Sequence, residues 1–138
     1  MYSDKITLFN RKADTWYATI LSGVDLNADK AAMVEKYGAT SKDKALLHVK
    51  YTMQGGGVVV GGSTYLPPKE WQAAQSGITF QEGDFFWAGE WTGAATISDD
   101  AYTIDGFYDY MNANYDGVYI ISSVAMYSVI PHFEIVGK

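Results

Sequence analysis

The segment GVYIISSVAMY, residues 117–127, decides the fold class, because it is rich in β-branched and aromatic residues and contains no proline. Such residues favour extended strands. The next four residues end in Pro131, and the segment HFEIV, residues 132–136, then alternates between polar and apolar side chains. The pattern predicts a long strand, a turn and a final strand at the edge of a sheet.

Shorter strands are predicted upstream of this pair. An opening hairpin is expected from residues 6–12 and 16–24, with residues 10–14 as its connection. Further strands are predicted over residues 45–53, 78–80 and 85–91. Many short strands with few helices favour a mainly β fold, which would be a small β-barrel or sandwich with one to three short helices. We expect one domain over residues 1–138.

Two short helices are predicted between the strands. Asn27 suits an N-cap and Gly38 suits a C-terminal stop, so residues 27–38 form either a short helix or a loop with partial helix. The segment 65–74 favours a second helix, with proline in its first turn.

The tyrosine-rich segment before the long strand has two interpretations. Residues 98–100 could cap a short helix despite the break at Gly106, with Tyr102, Phe107 and Met111 packed inward. Alternatively, residues 101–104 form a brief strand.

The composition excludes several classes of protein. Cysteine is absent, so the chain has no disulfide, thiolate nucleophile or cysteine-ligated metal site. The net charge of −6 and the single arginine argue against nucleic-acid binding, although an acidic surface can line a DNA conduit. No apolar run approaches the roughly 20 residues that cross a membrane, and residues 1–5 do not resemble a signal peptide. We expect a protein of a reducing cytoplasm with no membrane partner.

Few residues are candidates for catalysis. The two histidines, His48 and His132, stand outside any nucleophile motif. Several aspartates close in sequence match no EF-hand or glycosidase spacing, and they suit turns and helix caps better. They are Asp99, Asp100, Asp105, Asp109 and Asp116. We expect no catalytic residue, no metal ligand and no cofactor, and therefore no enzyme.

Five glycines flank three valines after the third predicted strand. This segment lacks the lysine of a Walker loop and the following helix of a dinucleotide fingerprint. It is expected to form a mobile excursion or a tight hairpin tip, which could become ordered against a partner. The segment consists of Gln54, Gly55, Gly56, Gly57, Val58, Val59, Val60, Gly61, Gly62, Ser63 and Thr64.

Aromatic residues offer a second candidate surface. Trp71, Trp87 and Trp91 could stack on a sugar or a peptide. By parity, Trp87 and Trp91 share one strand face with Phe85, and Phe86 points the other way. In a small β domain such residues belong more often to the core.

Five short strings mark the two ends and the middle of the chain. They are ITLFN at residues 6–10, WYATILSGV at 16–24, YLPP at 65–68, ITFQEGD at 78–84 and PHFEIVGK at 131–138. In that order they resemble small proteins encoded by phages and prophages of Gram-positive bacteria. Those proteins are similar to minor capsid or head-tail connector components of the head-completion or stopper class.

The resemblance implies a small β-barrel whose copies join a ring at the phage neck. Its partners would be a portal or adaptor protein and a tail completion protein, in a virion assembled in the host cytoplasm. An internal loop of that class reaches into the channel and helps to retain DNA, and residues 54–64 have the position of this loop. Residues 30–44 and 102–115 depart from the pattern of the class.

Two other functions stay open. The chain could be a carbohydrate- or peptide-binding β-domain that uses exposed tryptophans, which predicts a tryptophan-lined groove. It could also be a small hydrolase that uses His132 with one of the carboxylates, which would have to meet in a cleft within hydrogen-bond reach.

Overall fold

Antiparallel strands dominate the computed structural model of the protein, which describes residues 2–28, 45–102 and 105–138. The described strands are β1 (Asp4–Lys12), β2 (Thr15–Asn27), β3 (Ala45–Lys50), β4 (Thr52–Gln54), β5 (Gly57–Val60), β6 (Ser63–Tyr65), β7 (Phe85–Trp87), β8 (Thr96–Ser98), β9 (Val118–Tyr127) and β10 (His132–Gly137). The described helices are α1 (Pro68–Ala73) and α2 (Phe107–Asn114), and neither has the length and apolar character needed to cross a membrane. The predicted mainly β class is confirmed.

Six of these strands close into an antiparallel barrel. Their order is β1-β7-β9-β10-β3-β2, and the pairing of β2 with β1 completes the circle. Strand β8 lies outside the circle, where Ile97 pairs with Trp16 at the start of β2. Strands β4, β5 and β6 form a separate sheet. The chain therefore forms a β-barrel rather than a sandwich.

Alternate side chains of the barrel strands fill its interior. Ile6 and Leu8 of β1 belong to one buried cluster with Leu47 of β3, Phe86 of β7 and Phe133 of β10. Burying one such side chain contributes roughly 1.5–3 kcal/mol relative to leaving it exposed. This inner core supplies most of the apolar burial.

A second apolar core lies between the outer face of the barrel and α2. Phe9, Trp16 and Phe85 from three strands pack with Phe107 and Met111 of the helix. The Phe9 and Phe85 rings stack with centroids 4.7 Å apart, and Trp16 meets Phe85 edge-on at 4.9 Å. Strands β1 and β7 are thus buried on both faces, which explains why residues 6–10 of β1 are all buried.

Asp99 ties α2 to the barrel. Its Oδ1 accepts hydrogen bonds from the Phe107 amide at 2.9 Å and from the Trp16 indole at 2.8 Å. Gly106, just before the helix, has a φ of +91°, and a Cβ at this position would lie 2.9 Å from the Asp99 carboxylate. Glycine is therefore needed here. The predicted capping role within residues 98–100 belongs to Asp99, but the helix that it caps begins only at Phe107.

Two strand predictions are wrong. Strand β10 is not at an edge, because it pairs with β9 on one side and β3 on the other. The strand predicted over residues 85–91 ends at Trp87. After Trp87 the chain no longer pairs as a strand, because the Thr7 hydroxyl binds the backbone of the next residues. This hydroxyl donates to the Gly89 carbonyl at 2.8 Å and accepts from the Trp91 amide at 3.0 Å.

Other predicted elements have different bounds. The opening hairpin is confirmed, with a connection of only Ala13 and Asp14. The strand predicted over residues 45–53 divides at Tyr51 into β3 and β4, and residues 78–80 contribute only a bridge from Ile78 to Tyr65.

Of the predicted helices, the one before residue 75 is present, and the one after Asn27 falls largely outside the described residues. The helix over residues 65–74 is confirmed as α1, with Pro68 in its first turn. Asn27 is the last residue of β2, and residues 29–38 of the helix predicted after it lie outside the described residues. The alternative strand over residues 101–104 begins in a 3-10 turn at Asp99–Ala101, and residues 103 and 104 also lie outside the described residues.

Replacing Asp99 by alanine should destabilise the fold by about 2 kcal/mol, because two donors lose their shared acceptor. Chemical unfolding followed by tryptophan fluorescence measures the change in the free energy of unfolding. Asp99→Asn keeps one oxygen acceptor and should cost less. Asp100→Ala, at an exposed carboxylate in the same turn, is the matched control and should change stability by less than about 0.5 kcal/mol. Equal decreases in the free energy of unfolding for Asp99→Ala and Asp100→Ala would show that the Asp99 hydrogen bonds do not stabilise the packing of α2 on the barrel.

Candidate functional site

The predicted channel or partner loop, residues 54–64, forms tight hairpins rather than a mobile excursion. Gly55 and Gly56 connect β4 to β5, and Gly61 and Gly62 connect β5 to β6. All four have positive φ angles, between +54° and +88°. Two-residue turns with positive φ at both positions suit glycine, which explains the paired glycines of the sequence.

This small sheet, β4-β5-β6, is anchored at its base and exposed at its tip. Val60 is buried in the inner core, and Val58 and Tyr65 pack against it. Thr52, Met53 and Gln54 are exposed. An open depression of about 460 Å³ lies beside the sheet. It is lined by residues that include Ser22, Gly23, Lys50, Tyr51 and Gln54.

The three tryptophans do not form a common exposed surface. Trp71 is only 2% exposed, its indole donates to the Gly77 carbonyl at 2.9 Å, and the Lys12 ammonium lies over its ring. Trp91 packs edge-on against Phe9 in the outer core. Trp87 also packs against this core. The predicted aromatic contact surface is therefore wrong for Trp71, because α1 turns this side chain inward.

An exposed apolar tip joins β9 to β10. Val129 and Ile130 in the turn are 96% and 73% exposed, and Met126 and Tyr127, just before them, are each about half exposed. An open depression of about 300 Å³ is lined by Met126 of this tip together with other residues. These include Tyr65, Phe80, Val124 and Phe133. Nothing in the sequence pattern of residues 128–131 distinguished this tip from an ordinary turn.

A cluster of polar side chains lies on the neighbouring strands β2, β3 and β10. His48 of β3 stands opposite Glu134 of β10, and Asp25 of β2 stands opposite His48. His132 Nε2 lies 3.0 Å from Glu134 Oε2, and His48 Nε2 lies 3.7 Å from the same oxygen. His132 Nδ1 is 2.6 Å from the Ile130 carbonyl oxygen, to which it donates as Nδ1–H. The two histidines, which the sequence places outside any nucleophile motif, thus lie beside one carboxylate.

The alternation of β10 places His132 and Glu134 on one strand face, and the sequence could have shown that much. The sequence could not show that His48 lies next to Glu134, because this contact depends on the pairing of β3 with β10. The hydrolase hypothesis requires His132 and a carboxylate to meet in a cleft, and Glu134 lies within hydrogen-bond reach of His132 with both side chains partly exposed. Among the described residues, the hydrogen-bond partners of His132 include no serine or threonine hydroxyl.

The aspartates of residues 99–116 do not assemble into a site within the described part of the chain. Asp99 caps α2, and Asp100, Asp105, Asp109 and Asp116 are exposed. Within the described residues, His48, His132 and Glu134 are the group of three potential metal ligands whose donor atoms lie within 4.8 Å of one another.

A family model matches residues 1–138, which is the whole chain. The chain belongs to a family of unknown function (DUF6751). No curated protein and no solved structure shows significant similarity to it.

This DUF6751 protein also buries one carboxylate away from the cluster. Asp84 is 3% exposed, and its two oxygens accept from the Asn10 side chain at 3.0 Å and from the Arg11 amide at 3.2 Å. Burial raises the pKa of Asp84 from 3.8 to about 6, although these hydrogen bonds and one from Gln81 oppose the shift. Asp84 therefore links the segment before β7 to β1 through these hydrogen bonds.

Asp84 should make the protein less stable as the pH rises. Its folded pKa is above its unfolded pKa, so the folded state binds the proton more tightly, and the free energy of unfolding falls as the pH rises from about 4 to above 6. Between about pH 5 and pH 7.5 the loss from this group should be about 1 kcal/mol. Urea unfolding at both pH values measures it.

Asp84→Asn should remove this part of the pH dependence. Glu82→Gln, at an exposed neighbouring position, should leave it in place. An unchanged pH dependence in Asp84→Asn would show that the loss arises elsewhere.

Proposed function

We propose that this protein is a structural component of a phage or prophage virion, a ring subunit of the head-tail connector that helps to close the DNA channel. The observation that carries the proposal is the exposed apolar tip of the β9–β10 hairpin on a closed β-barrel. In the proposed role the protein works through shape and contacts between subunits rather than through catalysis.

The apolar tip supports contact with other subunits. Large apolar side chains exposed singly are ordinary on a protein surface, but Met126, Tyr127, Val129 and Ile130 are nearly consecutive. The barrel pairs its own strands, so neighbours in a ring would be joined mainly by side chains. A ring forms when such a tip fits a different patch on the next copy. The occupant of the tip is therefore a second copy of this chain.

The β4-β5-β6 sheet supports the channel role. Residues 54–64 carry no charged side chain, although the chain as a whole has a net charge of −6. An uncharged tip on an acidic protein can approach DNA without binding its phosphates strongly. The buried Val60 holds the base of the sheet, so the exposed tip can meet the channel in a defined position.

Val129→Asp and Ile130→Asp should block ring assembly while leaving the fold intact, because both side chains are exposed in the single chain. We expect stability to change by less than about 0.5 kcal/mol. Assembly onto purified portal rings, followed by sedimentation and electron microscopy, measures the loss. Ile20→Asp, at an exposed apolar residue of β2, is the matched control and should still assemble. Normal assembly of both tip variants would overturn the role of the tip.

The DNA that flanks the gene gives the first test of the virion role. Genes for portal, terminase, capsid and tail proteins are expected on either side, and the protein should be found by mass spectrometry in purified particles. Its absence from those particles would overturn the proposal.

The channel role needs a subtler variant than a deletion. Removing residues 54–64 would also remove the buried Val60, so Gln54→Lys and Thr64→Lys are better, since both side chains are exposed. Added positive charge should slow DNA passage through assembled particles without preventing assembly. Unchanged DNA release would place the sheet outside the channel.

A ligand-binding function has one observation in its favour. The depression of about 300 Å³ beside Met126 has Tyr65, Phe80 and Phe133 in its lining. A carbohydrate- or peptide-binding domain would use this site rather than a tryptophan-lined groove. Binding of a sugar or peptide that Tyr65→Ala abolishes, in a protein absent from particles, would favour this second function.

A further inference from the structure

We propose that His48, His132 and Glu134 bind one divalent transition-metal ion of the Zn²⁺ class on the outer face of the barrel. The proposal rests on side-chain geometry alone and is independent of the virion role. One ligand atom from each residue lies within 4.8 Å of the other two. All three side chains are partly exposed, so an ion can reach them from solvent.

The distances suit a small tetrahedral ion. With Zn–N and Zn–O bonds of about 2.0–2.2 Å, two ligand atoms of a tetrahedral site lie about 3.4 Å apart. Glu134 Oε2 lies 3.0 Å from His132 Nε2 and 3.7 Å from His48 Nε2, on either side of this value. The His48 and His132 nitrogens lie within 4.8 Å of each other, so the two rings would have to rotate toward one another to share one ion. Because all three side chains are partly exposed, water would supply the fourth ligand.

The second nitrogen of His132 has a partner that would orient the ring, and the second nitrogen of His48 lies near a carboxylate. His132 Nδ1 donates to the Ile130 carbonyl oxygen, which directs Nε2 toward Glu134. His48 Nδ1 is buried without a hydrogen bond among the described residues, and it lies 3.9 Å from Asp25 Oδ2. Histidine ligands of metals usually donate their other N–H to a carbonyl or a carboxylate, as His132 does here. A small movement of Asp25 or His48 would give His48 the same kind of partner.

The ligand types define the class of ion. Two imidazoles and one carboxylate favour Zn²⁺, Co²⁺ or Fe²⁺, whereas Mg²⁺ and Ca²⁺ prefer sets made only of oxygen. The ion would link β3 to β10 next to the Ile130 turn. Its bound form should therefore be more stable than the free protein, since the unfolded chain has no such site.

The first experiment titrates the untagged protein with Co²⁺ alone and then with Zn²⁺. We expect visible absorption bands of four-coordinate cobalt, one ion per chain, and their loss when Zn²⁺ displaces Co²⁺. The chain has only two histidines, so NMR can follow both rings directly, and both should shift together on addition of Zn²⁺. Mg²⁺ and Ca²⁺ should shift neither.

Substitutions test the ligand set. His48→Gln, His132→Gln and Glu134→Gln should each weaken Zn²⁺ binding by about 100-fold or more, and Asp25→Asn, behind His48, by about tenfold. Glu82→Gln, at an exposed carboxylate in a turn, is the matched control and should leave binding unchanged. Circular dichroism checks that each variant is folded.

Two results would overturn the proposal. One is wild-type protein whose His48 and His132 ring signals do not respond to Zn²⁺. The other is a folded His132→Gln or Glu134→Gln variant that binds one ion as tightly as the wild type. The NMR result needs no variant, so it decides the question even if a substitution prevents folding.

Discussion

The pairing of β1 with β2 on one side and with β7 on the other closes the barrel, and both apolar cores depend on it. Ile6 and Leu8 point from β1 into the barrel, whereas Phe9 points outward beneath α2. Asn10, at the end of the same buried run, donates to the Thr79 carbonyl and to Asp84. Separating β1 from either neighbour would expose apolar core residues, and separating it from β7 would also take the Asn10 and Arg11 donors away from the buried Asp84.

Closure also determines where the protein can interact with other molecules. Strands that pair within a barrel have few free backbone groups to offer a partner, so recognition falls to turns and to the outer face. The exposed elements available for recognition are the β9–β10 tip, the β4-β5-β6 sheet and the His48 cluster. Each stands on strands that the inner core holds in place, which gives exposed side chains defined positions. The proposed connector role would use this combination of a packed barrel and exposed contact elements.

Much of the fold follows from local patterns in the sequence. The run at residues 117–127 becomes β9, and the paired glycines become the turns on either side of β5, because only local sterics are involved. The parity of β7 also holds, since Phe86 enters the inner core and Phe85 the outer one. The prediction that β10 is an edge strand was wrong because one of its partners, β3, is distant in the sequence. The surface assignment of Trp71 failed because α1 and Lys12 cover it, and a buried tryptophan has the same local pattern as an exposed one.

The sequence by itself determined the strand-rich class, the positions of the turns and the absence of thiol chemistry, because each depends on residue type and on neighbours along the chain. Only the tertiary structure decided that the sheet closes, that Asp99 caps a helix beginning at Phe107, and that His48 meets His132 and Glu134. The physical reason is that strand order and register depend on side chains distant in sequence packing into a common interior. The candidate metal ligands therefore become neighbours only once β3 and β10 have paired.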